Sequence, residues 1–113
     1  MPLIEEQLPS FALTALSPLD GRYATQTEAL RPIMSEFGLI KYRVLVQIEW
    51  ITALAANSEF HYLKAFEPSI LLKLDNLYQK FTVEDAESIK VIEKKTNHDV
   101  KAVEYFLKQK FST

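Results

Sequence analysis

The sequence contains no cysteine, which excludes disulfides, thiolate metal sites and cysteine nucleophiles and fits a reducing compartment such as the cytoplasm. Glycine occurs only twice, too rarely for a chain of tight hairpins, so a sandwich or barrel is disfavoured. No basic run exceeds two residues, and 13 basic residues stand against 15 acidic ones for a net charge of −2. That balance offers no broad footprint for a phosphate backbone, so nucleic acid is not an expected partner. No apolar run approaches the ~18 residues of a membrane span. Glu5 and Glu6 stand where a secretory signal requires positive charge, so neither membrane insertion nor export is expected. There is no Asn-x-Ser/Thr acceptor, and His61 and His98 are the only histidines.

What is present describes a helical domain. At 113 residues the chain can bury one core but not two of ordinary size, so residues 1–113 are expected to form a single domain. Apolar residues make up 48% and charged residues 25%, as in ordinary folded proteins. The expected fold is all-α, with about four to five helices behind an irregular N-terminal arm. The arm, residues 1–16, carries Pro2, Pro9 and a short alternation at Phe11, Leu13 and Ala15.

Periodicity places the helices. From Ser35 to about Asn57, Phe37, Ile40, Val44, Ile48, Ile51 and Ala55 recur at spacings of three and four and form one apolar face. Leu39, Tyr42, Val46, Trp50 and Ala53 form a second on nearly the opposite side, with Glu36, Arg43 and Gln47 in narrow polar strips. A helix apolar on two sides must be buried on two sides, either at the centre of the domain or against something outside this chain. Pro68 fits the first position of a helix reaching about Lys80, with Ile70, Leu71, Leu74, Leu77, Tyr78 and Phe81 on one side. Thr82 and Asp85 have capping-box spacing and open a helix ending near Glu93, with Val83, Ala86, Ile89 and Ile92 inward. A last helix runs to about Lys110 with Val100, Val103, Phe106 and Leu107 inward. Thr25 or Thr27 is expected to cap a short helix near Pro32, and His61, among Phe60, Tyr62 and Leu63, reads as a packing residue.

Two motifs stand out chemically. Ser17-Pro18-Leu19-Asp20-Gly21 is a turn: proline presets φ, and Asp-Gly tolerates positive φ. It delivers Arg22 and Tyr23 together, a planar cationic fork beside a phenol, suited to an anionic ligand; the alternative is a surface arginine next to a half-buried tyrosine. The second motif is Thr96-Asn97-His98-Asp99-Val100-Lys101-Ala102-Val103-Glu104-Tyr105. Thr96 reads as the N-cap of the last helix, with Asp99 as the acidic half of a capping box. Asn97, His98 and Asp99 would then occupy a first turn whose unpaired N–H groups and positive dipole end favour an anion. The alternative reading is a stability device with His98 as a cap.

These motifs, in this order, resemble the N-terminal region of adenylosuccinate lyase. The likeness is close over Ser17 to Tyr23 and Thr96 to Phe106, with a similar helix from Ser35 to Trp50 between, and covers the chain apart from its first dozen or so residues. The resemblance implies the fumarase and aspartase superfamily of helical homotetramers. Its β-elimination releases fumarate from adenylosuccinate to leave AMP, and from the succinyl-aminoimidazole-carboxamide ribotide (SAICAR) to leave its carboxamide product (AICAR), both in purine biosynthesis. It implies that Arg22 and Tyr23 bind the nucleotide, most naturally its phosphate, and that Asn97, His98 and Asp99 line the same site. No cofactor and no metal is expected. A positive dipole end disfavours imidazolium, so His98 is expected to bind substrate in a supporting role rather than donate the principal proton.

The family's proton-donor histidine and its proton-abstracting serine, in a loop rich in Met, Pro and Lys, have no counterpart here. The chain is therefore expected to be the N-terminal domain of a longer lyase, lacking the central helical bundle and C-terminal domain and inactive alone. The alternatives are another fumarate-releasing lyase of the superfamily and a non-catalytic helical interaction domain.

Overall fold

The computed structural model describes residues 10–111, and among these the fold is all-α, with five α-helices, two short 3₁₀ segments and no strand. Two compact units meet in sequence between Ser35 and Glu36. Pro2, Pro9, Glu5 and Glu6 lie outside the described residues.

In the first unit, Ser10–Thr14 is a 3₁₀ segment, so the alternation at Phe11, Leu13 and Ala15 does not become a strand. Phe11 and Leu13 are exposed, and no neighbouring strand is there to pair with them. A second 3₁₀ segment, Glu28–Leu30, leads directly into the four-residue helix α1, Arg31–Met34, with Pro32 in its first turn where no N–H is required. Thr27 does not cap by accepting an N–H. Its hydroxyl instead lies within bonding distance of the carbonyls of Leu19 (2.9 Å), Tyr23 (3.2 Å) and Ala24 (3.3 Å), tying the segment back to the preceding turn.

The second unit contains α2 (Glu36–Ala56), α3 (Pro68–Gln79), α4 (Val83–Thr96) and α5 (Asp99–Phe111). Pro68 opens α3, and Thr82 caps α4 with a complete capping box: its hydroxyl accepts from the Asp85 N–H at 3.2 Å and the Asp85 carboxylate accepts from the Thr82 N–H at 3.0 Å. The core is the meeting of α2 through Ile40, Val44 and Ile48 with Leu74, Phe81, Ala86, Ile89, Ala102, Val103 and Phe106. Phe81 joins the layers, stacking on Phe37 and meeting Phe106 edge-on.

Several inward assignments fail, because a strict three-four count draws the apolar stripe wider than the neighbouring helices cover. Val83, at the first position of α4, is exposed, as are Ile70 and Leu71 near the start of α3. Val100 stands at the rim. Ile51 lines a cleft of about 570 Å³ with Phe66, Ile70, Leu74, Leu107 and Phe111. His61 is exposed in a turn between α2 and α3 and does not pack as expected.

The second face of α2 has no cover from the helices of its unit. Val46 and Trp50 are 64% and 62% exposed, and Leu39 and Tyr42 lie open beside them. The helix is thus buried along one face only. No helix of the described residues is long and apolar enough to cross a membrane.

Candidate functional site

The Arg22–Tyr23 pair rests on a turn built by side chains as much as by backbone. The Asp20 carboxylate accepts from the Ser17 N–H at 2.8 Å and the Leu16 N–H at 3.3 Å, and the Ser17 hydroxyl accepts from the Leu19 N–H at 3.1 Å. The Ser17 N–H bond, reinforced by Leu16, holds the Asp20 carboxyl below the usual carboxylate range, because these donors favour its charged form. The Tyr23 N–H then closes on the Pro18 carbonyl at 2.8 Å.

Gly21 is not needed for positive φ, as the motif had implied; no glycine here adopts it. Its role is close approach. Gly21 is buried, and a Cβ there would lie 2.6 Å from the Ala12 carbonyl oxygen and 3.0 Å from the Ala15 side chain. The chain passing over Ala12 leaves Arg22 and Tyr23 exposed side by side. The guanidinium donates to the Tyr23 hydroxyl and sits 4.5 Å from the centre of its ring, so the two form one cationic and phenolic surface. Among the described residues no carboxylate pairs with Arg22.

The second motif is divided differently from its sequence reading. Thr96 is the last residue of α4, and Asn97, at φ 54° and ψ 32°, is its left-handed C-cap, donating its N–H to the Glu93 carbonyl at 2.7 Å. Asparagine tolerates this conformation, so the helix stops without glycine or proline. Thr96 and Asn97 therefore belong to the end of one helix and not to the first turn of the next.

His98 is the N-cap. Its carbonyl accepts from the Ala102 N–H at 3.1 Å, and its Nδ1 accepts from the Lys101 N–H at 3.2 Å. The His98 N–H in turn donates to the Thr96 hydroxyl at 3.3 Å, and the Val100 N–H reaches Asp99 Oδ1 at 2.7 Å. The segment's own side chains thus satisfy the Val100 and Lys101 N–H groups that the sequence reading had offered to an anion. What faces outward is the remainder of the imidazole, which is exposed, with Lys94 and Lys95 on the last turn of α4 and Lys101 on the first of α5.

Asp99 is anchored across the unit. Its Oδ2 meets the Arg43 guanidinium of α2 at 2.9 Å, a pairing the sequence reading missed. The available signal was a single arginine in a narrow strip between two apolar faces of α2, where a charge has few places to go except to a partner. No group of three or more His, Cys, Asp or Glu able to hold a metal occurs among the described residues. The structure places Arg22 and Tyr23 together in the first unit, and Asn97, His98 and Asp99 together with Arg43 in the second.

Comparison with known proteins points in one direction. The chain is 56% identical over 99 residues to adenylosuccinate lyase of Vibrio cholerae, and 52% identical over 99 residues to that of Escherichia coli strain K12, covering 88% of this chain in each case. It is 52% identical over 101 residues, 89% of its length, to adenylosuccinate lyase of Buchnera aphidicola from Schizaphis graminum. The chain spans about a fifth of these curated relatives, 22% of each. No family model matches it.

Proposed function

We propose that this chain, whose sequence places it with the adenylosuccinate lyases, is the N-terminal, substrate-site-contributing domain of such an enzyme. The observation that carries the reading is the 56% identity over 88% of the chain, a stretch that includes the turn before Arg22 and the helix junction at His98. The full-length enzyme would be a cytoplasmic homotetramer that cleaves adenylosuccinate to AMP and fumarate, and SAICAR to AICAR and fumarate, by β-elimination. A central helical bundle and a C-terminal domain would complete it.

In this reading Arg22 binds the nucleotide phosphate with its planar fork, and the Tyr23 hydroxyl shares that anion. Asn97, His98 and Asp99 contribute to binding the same substrate. His98 serves as a hydrogen-bond donor to substrate: with Nδ1 occupied by the Lys101 N–H, a neutral ring carries its proton on Nε2. Proton abstraction and donation belong to residues outside this chain, so the chain alone releases no fumarate.

The test is His98→Ala in the full-length enzyme. A binding role raises KM with kcat largely kept; a collapse of kcat with KM unchanged would assign His98 to proton transfer and overturn the reading. Fumarate release from adenylosuccinate by the purified 113-residue chain would overturn the division of labour.

A further inference from the structure

We infer that Arg43 is a positioning residue, which by holding the Asp99 carboxylate against α2 keeps the His98 ring aimed with Nδ1 on the helix cap and Nε2–H toward the ligand. The functional part of this inference rests on the proposed nucleotide site; the structural part does not.

The geometry has three members. Asp99 Oδ2 is taken by Arg43 at 2.9 Å, and Oδ1 by the Val100 N–H at 2.7 Å. His98 Nδ1 lies 4.0 Å from Asp99 Oδ1, just beyond a hydrogen bond, and accepts instead from the Lys101 N–H at 3.2 Å. A carboxylate that close to an imidazole ordinarily draws a proton onto the facing nitrogen. Nδ1 cannot both carry that proton and accept from Lys101, so the ring has two exclusive arrangements. Arg43 decides between them, because it balances the carboxylate charge and engages Oδ2, while Oδ1 is the oxygen at 4.0 Å from the ring.

Arg43 is suited to this. It projects from the border of the buried face of α2, one turn from Ile40, and its side chain is only 24% exposed. The charged groups around the ring are Asp99 and Lys101 on its own helix, Lys94 and Lys95 on the last turn of α4 and, bonded to Asp99, Arg43 from α2; the end of α4 also contributes the uncharged Thr96 hydroxyl. Asp99, with both oxygens engaged, then acts on the ligand through His98 rather than by direct contact.

The experiment is long-range proton–nitrogen NMR of the imidazole in the 113-residue chain, with helix content of each variant checked by circular dichroism. The wild type is expected to show an unprotonated Nδ1 and a protonated Nε2 at neutral pH. Arg43→Gln frees Asp99, so Nδ1 is expected to gain proton occupancy at the expense of its bond from the Lys101 N–H. Adding Asp99→Asn is expected to reverse this change, which a merely structural loss would not do. Should Arg43→Gln fail to fold, Arg43→Lys, which keeps the charge but not the fork, provides the same readout with a smaller change. A protonated Nδ1 in the wild type, no change in the Arg43 variant, or a change that persists with Asp99→Asn would each overturn the inference. In the full-length lyase Arg43→Gln is expected to raise KM severalfold with kcat largely kept. An altered imidazole without altered KM would sustain the positioning and overturn the placement of His98 at the nucleotide.

Discussion

The carbonyl oxygen of Ala12 lies 2.6 Å from the point a β-carbon on Gly21 would occupy. That approach leaves the turn before Arg22 no room for any side chain. Gly21→Ala forces the Ala12 backbone away, at an overpacking cost of about 1–3 kcal/mol, and displaces Arg22 and Tyr23 with it. Under the proposed function, the full-length enzyme is then expected to show a raised KM for the nucleotide. Steady-state kinetics that match wild type would show that Ala12 yields freely.

Asp20 makes the same turn sensitive to acid. Its carboxyl is held below the usual carboxylate range by the Ser17 N–H first of all, so the charged form is favoured in the folded state. The stabilisation is therefore complete above the ordinary carboxylate pKa and is lost as pH falls through the lowered one. Asp20→Asn is expected to remove this component, so that wild type and variant converge in stability at the acid end. Carbon-13 titration of the Asp20 carboxyl checks the direction: a midpoint at or above the ordinary value contradicts it.

Thr82 and Asp85 supply each other's missing hydrogen bonds at the start of α4. Thr82→Ala removes the acceptor for the Asp85 N–H and is expected to cost about 0.5–2 kcal/mol, read as a lower urea midpoint with an unchanged slope. Thr82→Ser should retain most of it.

Phe106 and Trp50 should respond oppositely to truncation. Phe106 is 2% exposed against Phe81, so Phe106→Ala is expected to cost about 3–5 kcal/mol, enough to unfold a small domain. Trp50 is 62% exposed, and Trp50→Ser is expected to stay within about 0.5 kcal/mol in urea. A large loss of stability from Trp50→Ser would mean that the second face of α2 is covered in solution.

The readable parts of the fold were those written in local spacing. Ile40, Val44 and Ile48 recur with the helical period and do form the core; Pro68 and the Thr82–Asp85 pair mark helix starts by chemistry confined to one turn. The Thr96 boundary was misplaced because the same residues satisfy two patterns, and only the left-handed backbone at Asn97 separates them. A histidine cap is a less common choice than threonine, so His98 stood only as the alternative cap, and it is the one the structure shows. The candidate residues Arg22, Tyr23 and His98 were legible as exposed polar chemistry beside turns. Arg43 was legible only as an arginine confined to a narrow strip, because its bond to Asp99 is a contact between distant segments that no periodicity records. His61 shows the opposite error, where apolar neighbours in sequence did not imply burial.

Asn97 and His98 are the whole connection between α4 and α5, while Arg43 reaches Asp99 only after the chain has returned through α3 and α4. Loop closure favours contacts near in sequence, so the elbow between the last two helices is expected to form early and the arginine to arrive late. A nascent chain would then carry its histidine already capped but not yet braced, and the corner would be set only as α2 docks. Under the proposed function, affinity at that corner would report on completion of the core.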